Sequence, residues 1–138
     1  MSATEYISSY EIIQITPDEL PLCVSFWGET SDKRLTERKT FVYKTGGEYV
    51  GGFAIFERYE KCGHFSHFFV RDDLRGQGIG SRLLEFAVLY LRDMGMEIMR
   101  LHVEKTNTKA IKLYERHGFV HSGDATPDKM IMVKELKA

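Results

Sequence analysis

Three glycines in five positions follow an arginine in the run Arg75-Gly76-Gln77-Gly78-Ile79-Gly80, and Ser81 comes next. Glycine has no Cβ, so such a chain can bring its peptide N–H groups close to a bound group. Where the run enters a helix, the first N–H groups have no acceptor inside the helix, and the helix dipole adds positive potential at the same point. These residues therefore suit binding of an anion, a phosphate above all, with Arg75 adding a charge-assisted contact. A plain strand-to-helix connection would need none of the three glycines.

Groups able to move protons flank the loop. His64 lies before it; His102 and Tyr114 lie after it, as does Asn107, whose amide can cap a helix. An imidazole exchanges its proton near neutral pH, whereas a phenol keeps its proton to about pH 10. His64 shares strand parity with Ser66, Phe68 and Val70, so it belongs to their face if the strand is regular. His67, His117 and His121 are read as structural. Cys23 and Cys62 have neither the density of a disulfide scaffold nor the spacing of a zinc site, and no metal is implied.

The elements that must position these groups follow from the period of the apolar residues. Leu83, Leu84, Ala87, Val88, Leu91 and Met94 recur at helical spacing, with Arg82, Glu85, Arg92 and Asp93 on the other side, which predicts a helix closed by Gly95. His64 to Val70 predicts a strand ahead of the loop, after a turn at Lys61 to Gly63. Phe41-Val42-Tyr43 and Tyr49 to Tyr59, around Gly46-Gly47, predict a hairpin. Ile98 to Val103 reads as a strand and Asn107 to His117 as a short helix ended by Gly118, and this alternation implies a parallel pair of strands. Phe119 to His121 and Lys129 to Val133 predict a closing antiparallel hairpin. Near the start, Glu11 to Ile15 reads as a strand. Thr16-Pro17-Asp18-Glu19 forms a capping box for a helical region to about Arg38, although the missing N–H of Pro21 falls inside its first turns.

The 138 residues, 43% apolar and 28% charged, describe a globular chain with a real core and not a disordered or disulfide-stapled one. No repeat or linker interrupts them, so residues 1–138 read as a single domain. The 19 basic and 20 acidic side chains nearly cancel, which gives no field for a nucleic acid or an anionic membrane. Residues 1–60 hold 6 basic against 10 acidic side chains and residues 61–138 hold 13 against 10, a modest bias toward an anionic ligand in the second half. No apolar run reaches the roughly 18 residues of a membrane span, and Met1 to Tyr10 lacks the pattern of a signal peptide. The expected location is cytoplasmic.

A Walker loop would need a lysine the run lacks, and the dinucleotide fingerprint of a nucleotide-dependent oxidoreductase needs a glycine where Ser81 stands. The pattern Arg-x-x-Gly-x-Gly instead resembles the pyrophosphate loop of acetyl-CoA-dependent N-acetyltransferases, the GNAT superfamily. Asn107, Ala110, Leu113-Tyr114 and Gly118-Phe119 are similar to that family's downstream motif, Asn-x-x-Ala-x-x-Leu-Tyr-x-x-x-Gly-Phe. The resemblance covers about His64 to Val120 closely. It implies a mixed α/β (α+β) fold in one domain, with a mostly antiparallel twisted sheet of six or seven strands, one parallel pair, and about four flanking helices. It also implies acetyl-CoA as co-substrate and direct transfer, in a ternary complex, to a primary amine of a small molecule or a protein N-terminus.

On the same resemblance, Phe68, Phe69 and Val70 offer backbone groups to the pantetheine arm and the oxyanion. Arg75, Gly76, Gln77, Gly78, Ile79, Gly80 and Ser81 cradle the pyrophosphate, and Asn107 also meets the cofactor. Tyr114 stands at the general-acid position. His64 and His102 remain rival bases; N-terminal acetyltransferases usually carry Glu where His102 stands. The alternative is a non-catalytic acyl-CoA sensor or interaction module of the same fold. The acceptor amine and the oligomeric state stay open, and homodimers are common in the family resembled.

Overall fold

The computed structural model describes residues 10–23 and 38–136. In chain order these form β1 (Tyr10–Ile15), β2 (Lys39–Thr45), β3 (Glu48–Tyr59), β4 (Cys62–Val70), α1 (Ile79–Asp93), β5 (Ile98–Glu104), α2 (Thr108–Arg116), β6 (Val120–Thr126) and β7 (Lys129–Glu135). The seven strands make one sheet in the order β1-β2-β3-β4-β5-β7-β6. β4 and β5 run parallel, and β1–β2, β2–β3, β5–β7 and β6–β7 run antiparallel. This is the expected sheet, with its single parallel pair across the α1 crossover.

About four helices were expected, and the described residues hold two α-helices plus the short 3-10 segments Pro17–Cys23 and Asp72–Leu74. Half of the capping box forms: Thr16 N–H donates to Glu19 Oε1 at 3.0 Å, while Glu19 N–H donates to the main-chain Thr16 O at 3.0 Å, the bond of a 3-10 turn. Pro21 then withholds the N–H that an α-helical ladder needs, and the segment stays 3-10. The rest of the expected helix, residues 24–37, lies outside the described residues. The turn foreseen at Lys61 to Gly63 is tighter than expected, because Lys61 takes a left-handed φ of 60° and β4 starts at Cys62.

The described residues group into two compact units, one holding the chain up to Ile55 with His67–Phe86, the other Phe56–Ser66 with the chain from Ala87. In the first unit β2 is buried on both faces. Phe41 stacks on Phe53 with centroids 5.3 Å apart, and Phe86 of α1 packs on the two at 5.3 and 6.4 Å. Val42, one residue on, points the other way, into a cluster with Ile15, Leu20, Cys23 and Ala54. A Cβ on Gly51 would stand 2.7 Å from Phe69 O, so only glycine lets β3 pass β4 there.

In the second unit β5 alternates buried Met99, Leu101 and Val103 with half-buried Arg100 and His102. The last turns of α1 sit on the start of β4, where a Cβ on Gly63 would collide with Leu91 at 2.7 Å. Arg92 fixes that end of α1 by donating from Nε to Leu136 O at 2.8 Å.

Candidate active site

In the first unit, β4 leads into the glycine loop through a braced corner. Arg71 N–H donates to Val50 O at 2.8 Å, and its guanidinium pairs with Asp73 at 2.6 Å and Glu48 at 3.0 Å. The hydrogen bond from Arg71 holds the Asp73 carboxyl below its usual range. Leu74 is buried and pins the turn. Arg75 donates from Nε to Val70 O at 3.0 Å, pairs with Asp72 at 2.9 Å, and lies over the Phe69 ring at 5.8 Å.

Gly76 and Gly78 adopt φ of +79° and +88°, a region closed to most side chains. The first helical bond of α1 runs from Arg82 N–H to Gly78 O at 3.0 Å. The N–H groups of Ile79, Gly80 and Ser81 therefore precede any intrahelical acceptor. Ile79 is buried and roots the helix, while Gln77 is exposed. A Cβ built on Gly76 or Gly78 would meet nothing within 4 Å, so this stretch of main chain borders open space. Such an arrangement suits an anion: successive main-chain N–H groups lie at the positive end of a helix, beside open space.

Arg82 was expected on the outer side of α1. It is half-buried instead, donating to the Tyr43 hydroxyl at 3.1 Å with its guanidinium 5.1 Å over the Tyr10 ring. Tyr10 and Tyr43 stack at 4.6 Å. Burial pushes the Tyr43 phenol up, against the pull of Arg82.

The parity expected for His64 fails. His67 sits within β4 at φ 55°, which breaks the two-residue alternation between His64 and the stretch Phe68-Phe69-Val70. Those last three residues are all half-buried. The register of β4 with β5 ends at Phe65↔Leu101, before them. His67 also approaches Arg38, with Nη1 3.5 Å from Nδ1.

In the second unit the two rival histidines meet. His64 is 6% exposed, and its ring stands edge-on to that of His102 at 4.9 Å, with Phe56 at 5.1 Å on another side. Arg100 Nη2 lies 3.1 Å from His102 Nε2. Arginine can only donate, so Nε2 accepts and the imidazole is the neutral Nδ1–H tautomer. Burial first, then the charges of Arg100, Arg58 and Lys129, push the His102 pKa below its usual value. Sequence reasoning passed over Arg100; its signal was the shared face of residues two apart on one strand.

Asn107 caps α2, its Oδ1 accepting from Ala110 N–H at 3.2 Å. Gly118, at φ +87°, ends the helix: its N–H donates to Glu115 O and that of Phe119 to Tyr114 O, both at 3.0 Å. This Schellman arrangement brings the residue after the glycine back onto the last turn. Phe119 accordingly packs on Tyr114 with centroids 5.8 Å apart. The spacing Tyr-x-x-x-Gly-Phe is thus a device for fixing the tyrosine ring. Tyr114 is 5% exposed, and burial pushes its phenol well above the usual value, so it carries its proton at any physiological pH. His121 spends its Nε2 on Asp124 at 3.5 Å.

The sequence profile described as the Acetyltransferase (GNAT) family matches residues 9–119, and the chain belongs to that family. A mycothiol acetyltransferase of Propionibacterium freudenreichii is 40% identical over 50 residues, which are 36% of this chain and 16% of that protein. An L-methionine sulfoximine/L-methionine sulfone acetyltransferase of Pseudomonas paraeruginosa is 40% identical over 55 residues, 40% of this chain and 32% of the relative. The likeness to these curated relatives therefore spans less than half of either partner. Among solved structures, the PaiA N-acetyltransferase of Thermoplasma acidophilum in complex with coenzyme A shares the fold, with a TM-score of 0.80 at 16% identity over 92% of this chain and 99% of that one.

Proposed function

We propose that the protein is an acetyl-CoA-dependent N-acetyltransferase acting on an amine by direct attack in a ternary complex. The observation that carries this is the glycine loop, whose main chain offers the N–H groups of Ile79, Gly80 and Ser81 beside open space at Gly76 and Gly78. These groups, with Arg75, hold the pyrophosphate. Phe68, Phe69 and Val70, past the end of the β5 register, hold the pantetheine arm as an added strand. When bound, acetyl-CoA supplies a thioester carbonyl as electrophile and a thiolate as leaving group.

The remaining work is proton handling by this chain. The acceptor arrives as an ammonium, and the His64–His102 pair takes one proton from it, at Nε2 in the case of His102. Nitrogen then forms the bond to the acetyl carbon as the carbon–sulfur bond breaks. Tyr114 delivers its hydroxyl proton to the sulfur, the new amide nitrogen gives up its second proton to restore the Tyr114 phenol, and the imidazolium loses its proton to solvent. Coenzyme A release, followed as free thiol across a panel of primary amines, tests the reading. Tight acetyl-CoA binding without acetyl transfer to any amine would reassign the protein as a sensor.

A further inference from the structure

Arg100 is a half-buried cation whose partners are all neutral. It hydrogen-bonds the His102 imidazole, and its charge also acts on the neutral Tyr59 phenol. Its Nε–H is buried and makes no hydrogen bond. Among the described residues no carboxylate lies within ion-pair distance of Arg100, nor of Arg58 or Lys129. The charges acting on His102 are these three, all positive. A guanidinium partly removed from water without a counter-ion is costly, and an anion seated on it offsets that cost.

The kind of anion follows from geometry. The planar fork of arginine matches a carboxylate through two parallel hydrogen bonds. The guanidinium also lies only one hydrogen bond, 3.1 Å, from Nε2 of a candidate base. An acceptor that puts its anion on Arg100 and its nitrogen at Nε2 must carry the two groups on neighbouring atoms. We propose that Arg100, supported by Arg58 and Lys129, binds the carboxylate of the acceptor, so that the substrate class is α-amino acids and their close analogues.

This rests on the acetyltransferase reading and adds a function to the carboxylate. By taking the donors of Arg100, it releases the His102 Nε2 lone pair, which then accepts the ammonium proton. The base is thus uncovered by the substrate it deprotonates.

The test pairs each of the common amino acids with its carboxamide, measured two ways on the whole protein: acetyl transfer with acetyl-CoA, and calorimetric binding with coenzyme A present. The acids should be preferred over their amides by about tenfold to a hundredfold in kcat/KM, as expected for a charge-assisted pair. Arg100→Met should bring that ratio close to one. Should Arg100→Met unfold, the exposed pair Arg58→Gln with Lys129→Gln should still lower the preference severalfold. Amides used or bound as well as acids would overturn the carboxylate site while leaving the acetyltransferase standing. Acids bound in an Arg100-dependent way without turnover would keep the site and remove the proposed activity. Neither binding nor transfer with any pair would remove both.

Discussion

The glycine loop ahead of α1 and the ring cluster around β5 use opposite means. The loop works with main chain at the surface: its donors belong to Ile79, Gly80 and Ser81, and the glycines serve by having no side chain. The cluster works with side chains out of water: His64, His102, Arg100 and the separately buried Tyr114 owe their properties to what surrounds them. Main-chain donors tolerate change in side chains but not in backbone dihedrals. Buried side chains depend in addition on the neighbours packed around them. Affinity and chemistry should therefore be separable by mutation.

The largest effect expected is on chemistry. Tyr114→Phe keeps the ring and its contact with Phe119 but removes the proton, so turnover should fall about a hundredfold to ten-thousandfold, read as thiol release. Wild-type turnover in this variant would return Tyr114 to the core. Next comes the base: whichever of His64→Gln and His102→Gln removes the proton acceptor should cost about tenfold or more and abolish the acid limb of the rate profile. If His102 is that base, the limb in the wild-type protein lies below the ordinary value of about 6.5, since burial and three cations depress it. A limb above about 6.5 in kcat/KM, which reports the free protein, would exclude His102.

The same depression has a sign for stability. Between its lowered folded pKa and about 6.5 the unfolded chain binds the His102 proton more readily than the folded one does. Stability should thus fall as pH drops through that window, and urea titrations of wild type and His102→Gln would isolate the contribution. Smallest are the caps of α2. Asn107→Ala loses the hydrogen bond to Ala110 N–H, and Gly118→Ala forces a Cβ onto a φ of +87°; each should cost about 1 kcal/mol in urea unfolding.

The contrast also explains what could be read in the sequence. Loop, helix caps and hairpin turns are local: Gly76, Gly78, Asn107, Gly118 and Gly46-Gly47 each answer a dihedral or donor requirement met within a few residues. The strands and their parallel pair followed from period and order. What escaped was set at a distance or by one exceptional dihedral. The left-handed φ of His67 undid the parity argument for His64, and the meeting of His64 with His102 depends on β4 and β5 lying side by side. Arg100 was passed over because its lack of a carboxylate partner exists only in the folded chain. Pro21 was a visible warning against an α-helical start to that region, and Pro17–Cys23 is 3-10.

Calorimetric titration of acetyl-CoA into wild type, Gly78→Val and Tyr114→Phe tests the division most directly. Binding should be lost in folded Gly78→Val, whose side chain would fill the space beside the loop, and should stay close to wild type in Tyr114→Phe. Undiminished affinity in folded Gly78→Val would contradict the account.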